Sequence, residues 1–294
     1  LLLLLCLAAC ARAPREAPLP MGPLPAALLV PGVTRELAAH RSATLTNVRY
    51  TVELDVTAED RAAGSVAIAL ERRGGADLVL DFRGTALHEV IANGERVDAT
   101  WDEHHIVIPA GHLRAGPNEL RLRFDAPIAP AGAAVIAYAD AREGARYLYT
   151  LLVPSDAQLL FPVFDQPDIK AGFVWRITTP AGWRVLANGP LERSEAQPNG
   201  TVLHSFRATE PISTYTAAFA AGPWAVLPDT LAAGNGVAES MRLWVRGARA
   251  AEVDADTLLR LNRDALGWLE RYFDQRYPFA KLDILLAPAF PFGG

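Results

Sequence analysis

Cysteine is almost missing. Only Cys6 and Cys10 are present among 294 residues, both in the first ten. Everything after Cys10 can therefore hold no disulfide, no zinc–thiolate cluster and no cysteine nucleophile. A core of this size needs no disulfide, even in a secreted chain. Lysine is as rare. Of 28 basic residues only Lys170 and Lys281 are lysine, and the arginines are scattered rather than gathered on one face. With 33 acidic residues the net charge is −5, which argues against nucleic acid as a partner, since that needs a basic face to displace counterions. What is present suits a folded chain. Hydrophobic residues make up 51% and charged residues 21%, enough for a buried core and far from a disordered composition. The length suggests about two domains. No internal repeat shows at any period of about 20 to 50 residues.

The opening Leu-Leu-Leu-Leu-Leu-Cys-Leu-Ala-Ala-Cys is too short to cross a bilayer, which takes about 20 apolar residues. Residues 1–10 have the length of a signal-peptide apolar core, and Leu7-Ala8-Ala9-Cys10 resembles a bacterial lipobox. That resemblance implies lipidation of Cys10 and a chain held on a membrane surface through an N-terminal lipid anchor. The expected location is the exported bacterial cell envelope. Residues 11–41 are rich in Pro and Ala and read as a tether, with a short helix at Thr34–Arg41. The last residues, Pro288 to Gly294, stop with neither a helix cap nor a polar tail, as if inside a motif.

From Tyr50 the hydrophobic period is two. Tyr50, Val52, Leu54 and Val56 alternate with polar residues, as do Val66, Ile68 and Leu70, and then Leu78, Leu80 and Phe82, as half-buried strands require. Asn93-Gly94, between Val90-Ile91 and Val97, marks a hairpin, because both turn positions need positive φ. His105–Ile108, Leu120–Phe124, Phe173–Thr178, Trp183–Leu186, Val202–Phe206 and Thr214–Ala220 continue the strands. The fold class expected is mainly β: an antiparallel β-saddle or sandwich over residues 42–230. Near residue 250 the period becomes helical. Leu258, Leu261, Ala265, Leu269 and Tyr272 fall on one face, with Leu259, Leu266 and Phe273 widening it. Asp254 or Asp256 caps the start and Tyr277-Pro278 ends it. With Met241–Val245 before it and Leu282–Leu286 after it, residues 231–294 read as the start of an α+β domain. The boundary lies near Leu227–Gly236. If the helix lacks packing partners in this chain, Leu258, Leu261, Leu269 and Phe273 should form an apolar patch.

No complete active site is present. His88-Glu89-Val90-Ile91-Ala92 begins like the zinc-binding H-E-x-x-H, but its fifth residue is Ala92 and its pattern is a strand. That motif needs two imidazoles one helical turn apart. His104 and His105 would point to opposite faces of a strand. No G-x-S-x-G elbow and no glycine-rich phosphate loop occurs. Phe161-Pro162-Val163-Phe164-Asp165-Gln166-Pro167-Asp168-Ile169-Lys170-Ala171 reads as a rigid, aromatic-anchored turn, with Asp165 and Asp168 placed to accept from backbone N–H groups.

That block, with Tyr147-Leu148-Tyr149-Thr150 before it and Trp183-Arg184-Val185-Leu186-Ala187-Asn188-Gly189-Pro190 after it, resembles the aminopeptidase N family of zinc metallopeptidases. The relatives of puromycin-sensitive aminopeptidase and the leukotriene hydrolases belong there. Ile212-Ser213-Thr214-Tyr215 with Phe219-Ala220-Ala221-Gly222, and Tyr277-Pro278-Phe279-Ala280-Lys281-Leu282-Asp283 with Phe292-Gly293-Gly294, extend the likeness over residues 45–294 or so. The resemblance implies an N-terminal β-saddle, then a thermolysin-like catalytic domain acting on peptide substrates. It also implies zinc in the full-length protein, held downstream of a G-x-M-E-N motif whose first two positions are Gly293 and Gly294. None would be bound by these residues, which should be inactive alone. Glycine at 293 and 294 would let a substrate peptide lie against the backbone as an added strand.

One departure concerns the substrate's amine. Where the family places Gln and an acidic or amide residue after the Tyr-Thr block, this sequence has Leu151 and Val153, unless the register is shifted towards Gln158. An ammonium buried against Leu and Val loses hydration with no compensating charge. Two functions of different classes remain: an N-terminal part of a peptidase that removes N-terminal residues, or a non-catalytic binding module of the same descent. A carbohydrate-binding sandwich finds no support, since the six tryptophans are spread along the chain.

Overall fold

The computed structural model describes residues 21–228 and 240–289. Cys10, Gly293 and Gly294, the boundary near 227–236 beyond Pro228, and the first ten residues of the tether lie outside them.

The chain is mainly β, as its alternation predicts. A twelve-stranded sheet runs in the order Arg184–Ala187, Phe219–Gly222, Ala145–Thr150, Val135–Asp140, Gly116–Ala129, Arg61–Arg72, Leu45–Asp55, Gly172–Pro180, Thr201–Phe206 and Leu191–Ala196, with Ala86–Ala92 and Glu95–Arg96 branching from Gly116–Ala129. Most neighbours are antiparallel. Leu45–Asp55 with Gly172–Pro180 and a short contact between Gly116–Ala129 and Val135–Asp140 are parallel. One face of the long strands is fully buried: Tyr50, Val52, Leu54, Val66, Ile68, Leu120, Leu122 and Phe124 are at most 2% exposed. Leu78–Asp81 and His105–Ile108 pair in a second, three-stranded sheet against this face. The Asn93-Gly94 hairpin forms as expected, with φ of 53° and 86° at the two turn residues and Ile91 opposite Arg96. Thr214–Ala220 is only partly a strand: Thr214–Thr216 is a 3₁₀ turn, and the strand begins at Phe219.

The described part of the Pro/Ala-rich segment is docked rather than free. Met21–Gly22 pairs with Gly75–Ala76, and Leu24 and Leu37 are buried with Val79. The helix α1, Arg35–Thr44, is capped by the Thr34 hydroxyl, which accepts from Leu37 N at 3.1 Å. Its anchor is ionic. The Arg41 guanidinium, 2% exposed, meets both oxygens of Asp81 at 2.8 Å and donates to the Val79 carbonyl at 2.9 Å. Arg41 also stands 5.6 Å from the centre of the Phe164 ring. The Phe161–Gln166 part of the turn is buried accordingly. Phe161, Val163 and Phe164 are all 0% exposed, and Phe161 meets Trp175 edge-on at 6.0 Å. Asp165 accepts from Gln158 N at 3.2 Å and from the Thr214 hydroxyl at 2.7 Å. Asp168 instead reaches across to the Ser42 hydroxyl of α1 at 2.7 Å, so it braces a helix as well as its own turn.

A small sheet is formed by Ala225–Pro228, Ser240–Val245 and Lys281–Leu285. The last two are parallel and linked by the helix α2, Ala255–Phe273, a crossover as parallel pairing demands. Asp254 caps α2 by accepting from Thr257 N at 3.1 Å. The helix stops at Asp274 in the left-handed conformation (φ 48°), before Tyr277-Pro278 can act as breaker. The packing face is not the one the period suggests. Leu259 and Leu266 are the buried residues, on Met241 and Leu243, with Leu258 half-buried beside them. Leu261 (51%), Trp268 (54%), Leu269 (42%), Tyr272 (67%) and Phe273 (66%) face outward. The helix carries two apolar arcs, and periodicity alone does not say which one meets the sheet. Of the expected patch, Leu261, Leu269 and Phe273 lie on this outward arc and Leu258 does not; Trp268 stacks on Tyr272 there at 4.9 Å.

Candidate substrate wall

Of the residues singled out from the sequence, the Tyr147–Thr150 block and Leu151 meet at the strand Ala145–Thr150. It is buried because both its faces are used: Tyr147, Leu148 and Tyr149 are at most 2% exposed. Tyr147 and Tyr149 join Ile136, Ala220, Trp224 and Trp244 in an aromatic cluster where the twelve-stranded sheet meets the small one, and Leu151, Leu285 and Ala287 pack on it. The Tyr149 hydroxyl donates to the carbonyl of Ala289. The chain that leads towards Gly293 is thus laid beside the Tyr147–Thr150 block and Leu151. Leu151 N donates to the Ala134 carbonyl at 3.0 Å.

Val153 does not join this cluster. It is 41% exposed and precedes a cis peptide bond to Pro154. Gln158 is buried, and its amide donates to the Ser155 carbonyl at 3.0 Å, so it is committed to its own loop. The two tyrosine hydroxyls are also engaged. That of Tyr147 donates to Glu143 and accepts from Gly247 N. Burial, and then the Glu143 carboxylate, push Tyr147 up to about 12, so it stays protonated at neutral pH. The described wall is therefore apolar, with no free carboxylate among these partners to meet an ammonium.

Ionic contacts fix the angle between the two sheets. Arg246 pairs with Asp140 and lies 5.0 Å from the Tyr138 ring centre. Lys281, 8% exposed, donates to the Ala187 carbonyl at 2.6 Å and to Asp283. Asp283 also receives Arg242 through two bonds of 2.8 and 3.0 Å and Trp244 Nε1 at 2.9 Å. Burial raises the Asp283 carboxyl, but Arg242 and Lys281 outweigh it and hold the group below the usual carboxylate range. Burial lowers Lys281 in turn.

The described residues contain no group of three His, Cys, Asp or Glu that could hold a metal ion. His88 and Glu89 lie in the strand Ala86–Ala92, His88 3.0 Å from Asp125 and Glu89 near Arg96. His104 is partly exposed and His105 buried. His204 is buried between the Ser194 and Thr179 hydroxyls. These residues do not fit zinc.

Residues 46–216, more than half of the chain, match the family described as Peptidase M1 N-terminal domain. The chain belongs to the M1 aminopeptidase N family. As an M1 chain it is 30% identical to an aminopeptidase N of Streptomyces lividans over 89% of its own length and 30% of the relative's. It is 23% identical to a leucyl aminopeptidase of Saccharolobus solfataricus over 74% of its length and 26% of that protein's. It is 27% identical to an aminopeptidase N of Acetobacter pasteurianus over 72% of its length and 60% of that protein's. The chain thus spans about a third or less of the first two relatives and under two thirds of the third. The M1 match falls on the twelve-stranded sheet and its turns.

Sequence reasoning did not reach Arg41, Asp81, Lys281 and Asp283 as structural charges. For Asp81 a signal existed: one carboxylate closing the apolar run Leu78-Val79-Leu80, followed by Phe82, must find a cation.

Proposed function

We propose that this M1 chain is the N-terminal part of a cell-envelope zinc peptidase that removes residues from the N-terminus of peptides, and that it contributes the wall against which the substrate rests. The observation that carries this reading is the placing of residues 285–289, which follow the Tyr277–Asp283 block, along the Tyr147–Thr150 strand and Leu151. On the family resemblance the peptide backbone would lie on Gly293 and Gly294, with Leu151 and Val153 at the positions where the family meets the substrate's amine. Zinc would be held by an H-E-x-x-H that residues 1–294 do not contain; when bound, it would polarise the scissile carbonyl and activate water. The apolar character of Leu151 and Val153 gives the binding-module reading its specific support.

No helix among the described residues is long and apolar enough to cross a membrane. We propose attachment through a lipid on Cys10 instead. In the source bacterium, activity on aminoacyl reporters dependent on this gene is expected in the membrane fraction, and Cys10→Ser should move it to the soluble fraction. No change in activity on deleting the gene would leave the binding module as the better reading. Activity that stays with the membrane in Cys10→Ser would refute the anchor.

A further inference from the structure

His105 is 1% exposed in the strand His105–Ile108. Its Nδ1 lies 3.1 Å from Asp81 Oδ1, and its Nε2 lies 2.9 Å from the carbonyl oxygen of Val30. Both neighbours are acceptors. The Asp81 carboxylate already receives both Arg41 Nη groups and the Asp165 N–H, and a backbone carbonyl has nothing to donate. A neutral imidazole carries one N–H. Either neutral tautomer therefore turns a lone pair onto one of these two oxygens, and only the imidazolium donates to both.

We infer that His105 is a proton-operated latch: protonated, it clasps the segment around Val30 to Asp81, and on losing its proton it lets Val30 go. The bond that yields is the one to Val30. Asp81 is fixed from three sides, whereas Val30 is 44% exposed and its carbonyl can turn to water. The charged groups facing the ring are Asp81 from Leu78–Asp81, Arg41 from α1, Asp102 from the turn ahead of the strand, and Asp165 beyond Asp81. Arg41 opposes the imidazolium; Asp81 favours it, and Asp102 and His105 attract each other.

Burial lowers His105, but the bonds to Asp81 and Val30 outweigh burial and raise it above the ordinary 6.5. A raised histidine stabilises the folded form fully below its unfolded value, and that contribution fades as pH rises through the folded value. Release is local. Met21–Gly22 still pairs with Gly75–Ala76, and Leu24, Leu28 and Leu29 still pack near Leu37 and Val79.

Nitrogen-15 NMR of the histidine rings and hydrogen exchange test this on the wild-type chain. Expected are two protonated ring nitrogens for His105 at about pH 6 and a midpoint above the ordinary histidine value. Exchange around Val30, corrected for its intrinsic pH dependence, should rise about tenfold through the same midpoint, the effect of losing one charge-assisted hydrogen bond. Exchange in Leu45–Asp55 should stay flat. In His105→Gln the rise around Val30 should vanish. A ring that is neutral at about pH 6 would overturn the latch, as would wild-type exchange at Val30 that ignores pH. A rise that persists in His105→Gln would do the same, and if that variant does not fold, the two wild-type measurements decide.

Discussion

Arg41→Met is expected to destabilise the chain by about 3–5 kcal/mol, the cost of removing one partner from a buried ion pair. The reason is what it leaves behind. Asp81 is 0% exposed and would keep only the His105 ring and the Asp165 N–H, in a site that water cannot reach. Methionine fills much of the volume of the arginine stem, so the loss reports charge rather than a cavity. The damage should spread along the contacts that Arg41 organises: α1, the Val79 carbonyl and the Phe161–Ala171 turn through Asp165. Chemical denaturation measures it, and a loss under about 1 kcal/mol, the scale of a surface pair, would contradict this account. The same pair sets the acid limit. Burial raises the Asp81 carboxyl, but Arg41 and the bonds from His105 and Asp165 lower it overall. Its contribution is therefore present above the unfolded value of about 3.9 and lost as pH falls through the lower folded value. In Arg41→Met that acid limb should move to higher pH.

Purified residues 1–294 are expected to hold far less than one zinc per chain and to leave aminoacyl reporters intact. Zinc in a catalytic site takes three protein ligands of the His, Cys, Asp or Glu type, commonly two of them histidines one helical turn apart. The six histidines of this chain include no such pair: the only H-E start, His88-Glu89, is followed by Ala92 where the second histidine should stand. It also lies in a strand, where side chains alternate between faces. The wall proposed to hold a peptide, Tyr147–Thr150 and Leu151, offers no group to attack a carbonyl. Metal analysis and a fluorescent aminoacyl reporter check this together. One zinc per chain with turnover would contradict it.

Much of the fold was legible because the sequence alternates cleanly. Tyr50–Val56, Val66–Leu70 and Asn93-Gly94 each state a local rule that tertiary context has no reason to override. The parallel pairing of Leu45–Asp55 with Gly172–Pro180 was not legible, since alternation gives a buried face but not a neighbour. Helix α2 is legible but its orientation is not, because two apolar arcs compete and the choice depends on Met241 and Leu243 beneath it. Composition alone makes the Pro/Ala-rich segment a tether. From residue 21 it is pinned by Leu24, Leu37 and Arg41, three residues whose burial depends on Val79 and Asp81 far along the chain. At the site, the Tyr147–Thr150 and Tyr277–Asp283 blocks were visible as motifs. Their meeting through Trp224, Trp244 and Leu285 was not, because contact between distant strands leaves no local pattern.

The peptidase assignment rests on the codons beyond Gly294 in the reading frame. Met-Glu-Asn is expected directly after Gly294, and farther on two histidines in the spacing H-E-x-x-H within a helical pattern. Sequencing the coding region past that codon gives the answer. A frame that continues without paired histidines would contradict the peptidase and leave a β-rich binding protein.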